Sequence, residues 1–120
     1  MITGGNATIF LSDMDRAVTF YTNMLGLALE YRAGDSWAQV MTTSGLRLGL
    51  HPQGPNGPKP GSRGAISVGF DVKQPLENII ADLTAKGVRF EGPIKEDKAV
   101  RLAHFSDPDG NELYLCESKW

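Results

Sequence analysis

The stretch HPQGPNGPKPGSRG, residues 51–64, decides how the rest of the chain is read. Proline has no backbone N–H to give to a ladder or helix, and glycine beside it adds freedom rather than order. The stretch therefore reads as a linker that holds neither. It divides the chain into segments of similar length, so an internal repeat is the first thing to look for.

Upstream, NATIFLSD (6–13) reads as a strand, after which Ser12 or Asp13 caps a helix. Met14, Ala17, Val18, Tyr21 and Leu25 then fall on one helical face, and Gly26 ends it. Three strand-like runs follow, LALEYRA, WAQVM and LRLGLH, with TTSG as a turn before the last. Downstream the order recurs. AISVGFDV (65–72) is a strand, Pro75 suits a helix's first turn, and Leu76, Ile79, Ile80 and Leu83 form the apolar face before Gly87. VRFEG, VRLAHF and ELYLCE come next, with DPDG before the last. Asn6 to Gly26 and Ser67 to Gly87 are both 20 residues. The two helix faces differ in phase by about one residue.

Each half is thus β-α-β-β-β. Repeat 1 spans 5–50, the linker 51–64 and repeat 2 65–117, within one domain over 1–120. The fold expected is α+β: two modules joined in a curved eight-stranded mixed sheet around a cavity, with helices on the outer face.

Composition fits a soluble globular chain, with 41% apolar and 22% charged residues. A net charge of −2 with mixed signs argues against a basic groove, so no nucleic-acid partner is expected. KEDK (95–98) cancels its own charge and reads as a solvated loop. No apolar run could cross a bilayer and no leader pattern opens the chain, so no membrane partner and a cytoplasmic location are expected. Cys116 is the single cysteine and forms no internal disulfide.

Alternation along the strands sorts side chains between helix and cavity. Ala7, Ile9 and Leu11 go to the helix, leaving Asn6, Thr8 and Phe10 inward. Trp37, Gln39 and Met41 share a face, as do Arg47, Gly49 and His51. In the second half Ser67 and Gly69 face inward, His104 matches Gln39, and Glu112, Tyr114 and Cys116 share a face. His51 either continues this face or opens the linker toward water. Trp37 is placed to stack on a ligand. Arg47 and Glu112 hold equivalent places; they pair with each other, or Arg47 meets an anionic ligand. Phe20 and Tyr21 are read as core. Asp107 and Asp109 are read as turn chemistry. No catalytic residue is identified; His104 and His51 are the only candidates for proton transfer near neutral pH.

FLSDMDRAVTFYTNMLGL with a later FSDPDGNELYLCE, in this repeated frame, resembles the vicinal oxygen chelate superfamily, which includes glyoxalase I, extradiol dioxygenases, and fosfomycin- and bleomycin-resistance proteins. The resemblance implies one divalent metal held from the start of each half's first strand and the middle of each half's last strand. Those places are Asn6, Gly49, Ser67 and Tyr114. Glycine offers no donor, Asn and Ser offer neutral oxygens, and a phenol keeps its proton at neutral pH. The expectation is a metal-free binder of an aromatic or amphipathic compound, in the manner of bleomycin-resistance proteins, with no cofactor. A metal-dependent lyase, isomerase or dioxygenase is the alternative. The resemblance also implies a homodimer.

Overall fold

The computed structural model describes the chain from Met1 to Lys119 except Ser62 and Ala65. The chain divides into two compact units, Met1–Gly61 and Ser62–Trp120. The first contains β1 (Ala7–Leu11), α1 (Met14–Val18), a π-helical continuation (Thr19–Met24), β2 (Ala28–Ala33), β3 (Trp37–Met41) and β4 (Arg47–Pro52). The second contains β5 (Val68–Val72), α2 (Leu76–Ala85), β6 (Phe90–Glu96), β7 (Val100–Ser106) and β8 (Glu112–Ser118). Each unit is therefore β-α-β-β-β, and the α+β class is as expected. Ala65, where the sequence starts the second repeat, lies outside the described residues.

The ladders close within each unit. The sheets of the two modules are four-stranded and mixed, ordered β1-β4-β3-β2 and β5-β8-β7-β6, which gives the eight strands expected from sequence. In both, the first and last strands run parallel and the remaining pairs antiparallel. A parallel pair needs a crossover between its strands, and the helix with the two intervening strands supplies it.

One face of each sheet packs on its helix. Ile9, Leu11, Ala38, Val40, Leu48 and Leu50 are buried with Met14, Ala17, Phe20 and Tyr21 in the first unit. Phe70, Ala103, Phe105, Leu113 and Leu115 are buried with Leu76, Leu83 and Val88 in the second. Phe20 and Tyr21 are core, as read from sequence, with their rings edge to face at 5.1 Å. Ala7 is exposed rather than helix-facing, because it opens the strand ahead of the helix's reach.

The phase offset between the two helices is present where they begin, Leu76 following β5 by one residue more than Met14 follows β1, and it is taken up inside the first helix. Thr22 Oγ1 donates to the Val18 carbonyl at 2.6 Å, competing for an acceptor the helix would use. The Leu25 N–H bonds the Phe20 carbonyl at 3.0 Å, a π-type turn that takes in one extra residue. Buried Tyr21 consequently lies one position further from Gly26 than buried Leu83 lies from Gly87. α2 closes conventionally: the Val88 N–H reaches the Leu83 carbonyl and the Gly87 N–H the Thr84 carbonyl, both at 3.0 Å. Gly87, at φ 102°, takes the left-handed conformation this cap demands.

Three boundaries differ from expectation. His51 and Pro52 belong to β4, paired with Phe10 and Leu11, so the linker begins two residues later than read. Pro52 is tolerated because the bond to β1 there comes from the Gln53 N–H, to the Leu11 carbonyl at 2.9 Å, and the β3 ladder on the other side has already ended at Leu50. Lys95 and Glu96 extend β6 opposite Leu102 and Arg101, so only the second half of KEDK turns. Pro75 is the N-cap of α2 rather than a first-turn residue, and Glu117 Oε1 accepts the Leu76 N–H at 3.4 Å.

The turns before β4 and β8 share one construction. The Thr42 N–H bonds the Leu46 carbonyl, the Gly45 N–H bonds the Thr42 carbonyl, and Thr42 Oγ1 accepts the Leu46 N–H at 3.0 Å. Asp107, Gly110 and Asn111 repeat all three contacts, with Asp107 Oδ1 as the side-chain acceptor at 2.9 Å. Asp107 further accepts the Asp109 N–H at 2.9 Å and Asn111 Nδ2 at 2.8 Å. The turn role assigned to DPDG follows directly. Among the described residues no helix is long and apolar enough to cross a membrane.

Candidate functional site

The face of each sheet away from its helix carries the residues singled out from sequence. In the first unit Phe10, Trp37 and His51 gather at one end. The His51 ring lies 5.2 Å from Phe10 and 6.3 Å from Trp37. His51 therefore continues the face rather than leaving it, because β4 runs through it to Pro52. Trp37 leans diagonally from β3 onto β4. A Cβ on Gly49 would stand 2.1 Å from Trp37 Cη2, so the indole occupies the space a side chain at 49 would need.

The other end of this face is polar. Thr8 Oγ1 donates to Asn6 Oδ1 at 3.3 Å, and Asn6 Nδ2 donates to Gln39 Oε1 at 3.2 Å. Gln39 Nε2 donates to Glu30 Oε1 at 3.0 Å, where Arg47 Nε also donates at 3.1 Å. The hydrogen bond from Gln39, and then that from Arg47, hold the Glu30 carboxyl below its ordinary pKa. Sequence reading missed Glu30. It sits at a register shift between Leu29 and Tyr31, which puts an extra residue opposite β3. Simple alternation gives no warning of such a bulge.

In the second unit Tyr114 fills the face. A Cβ on Gly69 would stand 2.3 Å from Tyr114 Cζ, and the His104 ring lies 5.7 Å from the Tyr114 ring. Arg63, from the proline- and glycine-rich stretch, reaches this sheet. It donates to Ser106 Oγ and to Glu91 Oε1, each at 2.8 Å, and Ser106 Oγ donates to Glu91 Oε2 at 2.9 Å. Arg63, and next Ser106, hold the Glu91 carboxyl below its ordinary pKa. Glu112 Oε1 accepts the Gly64 N–H at 3.0 Å. Arg47 and Glu112 each have a partner within their own unit, Glu30 and Gly64. Arg63, Glu91 and Ser106 were also missed. Only the register Glu91↔His104 and Ser106↔Glu112 brings them together.

Ser67 immediately precedes β5 and is exposed. Cys116 lies on the same face, opposite Asp71 and Leu102. Burial, then the Asp71 and Asp97 charges, push its thiol pKa up, which keeps it protonated. Asp71, Lys73, Cys116 and Glu117 line a depression at the ends of β5 and β8.

The four places that the resemblance assigns to a metal can be tested against these contacts. Gly49 has no donor and an indole in its side-chain space. Asn6 is engaged through both ends of its amide. The Tyr114 ring rests on Gly69 and Ser67 offers a neutral hydroxyl. No carboxylate or imidazole stands among the four, so the donor set does not fit a catalytic divalent ion. Among the described residues, no three His, Cys, Asp or Glu side chains lie close enough to hold one elsewhere.

Two β-α-β-β-β modules, each presenting aromatic and hydrogen-bonding side chains on the face away from its helix, define a paired-module class of small proteins. The chain belongs to the Glyoxalase/Bleomycin resistance protein/Dioxygenase superfamily, which it matches over residues 5–115. It is similar to a superfamily member from Sphaerobacter thermophilus, at 28% identity and a TM-score of 0.81 over 98% of both chains. It is also similar to TnmS3, an antibiotic binding protein from a Streptomyces species, at 27% identity and a TM-score of 0.76 over 99% of both chains. FosX, a fosfomycin resistance protein from Listeria monocytogenes, shares the fold at 18% identity and a TM-score of 0.77, over 98% of this chain and 94% of its own.

Proposed function

We propose that the chain is a metal-free binding protein that sequesters an aromatic or amphipathic small molecule, antibiotics among them. The observation that carries this reading is the Trp37 indole standing where a side chain at Gly49 would begin. A position that the resemblance gives to a metal ligand is filled by a ring. Aromatic platforms beside a few placed polar groups are how small-molecule sites are built. Likeness to TnmS3, an antibiotic binding protein, supports the same reading. The ligand-holding residues on this reading are Phe10, Trp37, Gln39, Arg47 and His51 in the first unit and His104, Glu112 and Tyr114 in the second. The chain acts as a homodimer, as the resemblance implies; light scattering on the purified protein checks this.

The reading is tested by elemental analysis of the purified protein and by titration with nickel, zinc and manganese, followed by melting temperature. An ion that binds the folded state stabilises it by about 2.7 kcal/mol at a hundredfold excess over its dissociation constant. The expected result is no bound metal and no shift. One-to-one binding with a raised melting temperature overturns the proposal in favour of a metal-dependent lyase, isomerase or dioxygenase.

A further inference from the structure

The first unit's face says what kind of molecule it takes, granted the reading that this face binds a small molecule. We infer that its ligand is a planar aromatic acid, with Trp37 as the stacking surface and Arg47 as the group that reads the acid. Arg47 bonds Glu30 through Nε, and this is its one hydrogen bond among the described residues. Its side chain is 44% exposed. A guanidinium tied at Nε keeps both terminal nitrogens, which form a planar fork that matches a carboxylate with two parallel bonds. Glu30 fixes the fork's direction instead of occupying it. The carboxylate of Glu30 is the more recessed partner, at 26% exposure, and the oxygen facing Arg47 already accepts from both Gln39 and Arg47.

Spacing sets the ligand's size. Arg47 and Gly49 are two residues apart on β4 and share a face, about 7 Å from each other. The tip of the Trp37 ring lies over Gly49. A ring stacked on the indole therefore needs two or three fused rings to carry its acid to Arg47. The amide chain of Asn6 and Gln39 beside Arg47 gives further polar contact to an oxygenated edge.

Calorimetry on the purified full chain at low salt, with 2-naphthoate, 2-naphthamide and 2-naphthylmethylammonium, tests this. The acid should bind at least about tenfold tighter than the neutral amide, as charge-assisted paired hydrogen bonds require. Arg47→Gln should bring acid and amide to parity, and Trp37→Leu should weaken both. The acid-to-amide ratio in the unsubstituted protein stands even where a variant folds badly. Equal binding of acid and amide, tighter binding of the ammonium, or an unchanged ratio in Arg47→Gln overturns the inference and leaves aromatic binding in place. Binding of none of the three overturns the inference together with the reading beneath it.

Discussion

Gly49 in the first module and Tyr114 in the second hold the same place in the last strand, and they solve one packing problem in opposite ways. In the first, the last strand supplies the glycine and β3 supplies the ring that covers it. In the second, the last strand supplies the ring and the glycine stands on β5. Their cross-strand partners follow suit: Thr8 faces Gly49, and Gly69 faces Tyr114. The helix-facing sides have not diverged in this way. Leu48 and Leu113 are both fully buried, and Leu50 and Leu115, two residues further along the same strands, are buried as well. A core side must fill a closed volume, so it holds its pattern. The other side need only avoid clashes, so residue size can migrate between strands and leave each module a different surface. One module has an aromatic end and an amide chain; the other has a charged cluster tied down by Arg63.

The largest effect should come where the modules are most alike. Leu48→Ala and Leu113→Ala should each cost roughly 3 kcal/mol in chemical denaturation, because each leaves a cavity in a closed core. A much smaller loss in one would break the equivalence of the two cores.

The next effect separates the modules at matching turns. Asp107→Ala removes a buried carboxylate that accepts three hydrogen bonds and should cost about 2 kcal/mol or more. Thr42→Ala removes one bond at a more open turn and should cost about 1 kcal/mol or less. Equal losses would show that Asn111 and Asp109 add nothing to the second turn.

Gly49→Ala and Gly69→Ala place a methyl group within 2.1 Å and 2.3 Å of a ring atom, so each ring must move. The expected cost is about 1–2 kcal/mol apiece. Tryptophan fluorescence should change for Gly49→Ala and stay constant for Gly69→Ala, whose displaced ring is a tyrosine. The reverse pattern would break the assignment of rings to glycines.

The smallest effect is a pH dependence that Glu77 gives the second module. Arg101 hydrogen-bonds Glu77 at the start of α2 and Glu117 on β8. The bonds from Arg101, and the backbone bond at Glu77 itself, lower the Glu77 carboxyl from 4.5 to about 2. A carboxyl lowered on folding contributes stability in full above pH 4.5 and loses it as pH falls toward about 2. Glu77 is surface-exposed, so the loss is a shallow slope across that window, and Glu77→Gln should flatten it in urea midpoints measured from pH 5 to pH 2. An unaltered slope would mean the pair contributes nothing to stability.

The two-module plan was legible because its signals are local. The proline-rich stretch, the glycines after each helix and the alternation through NATIFLSD and ELYLCE act within a few residues. The phase offset between the helix faces was legible as well, although the π-turn that takes it up was not. Strand ends were read less well: His51 and Pro52 look like linker by composition, yet β1 pairs with them.

The sequence by itself determined which residues share a face, because a strand's period of two follows from backbone geometry. It thereby placed Phe10, Trp37, Gln39, Arg47 and Gly49 together. Tertiary structure alone decided how those residues are engaged: that Glu30 emerges from a bulge to hold Arg47, that the indole rests on Gly49, and that Arg63 closes on Glu91 and Ser106. Those outcomes depend on register and on contacts between distant strands. Register is a collective choice of the whole sheet, and no short stretch of chain encodes it.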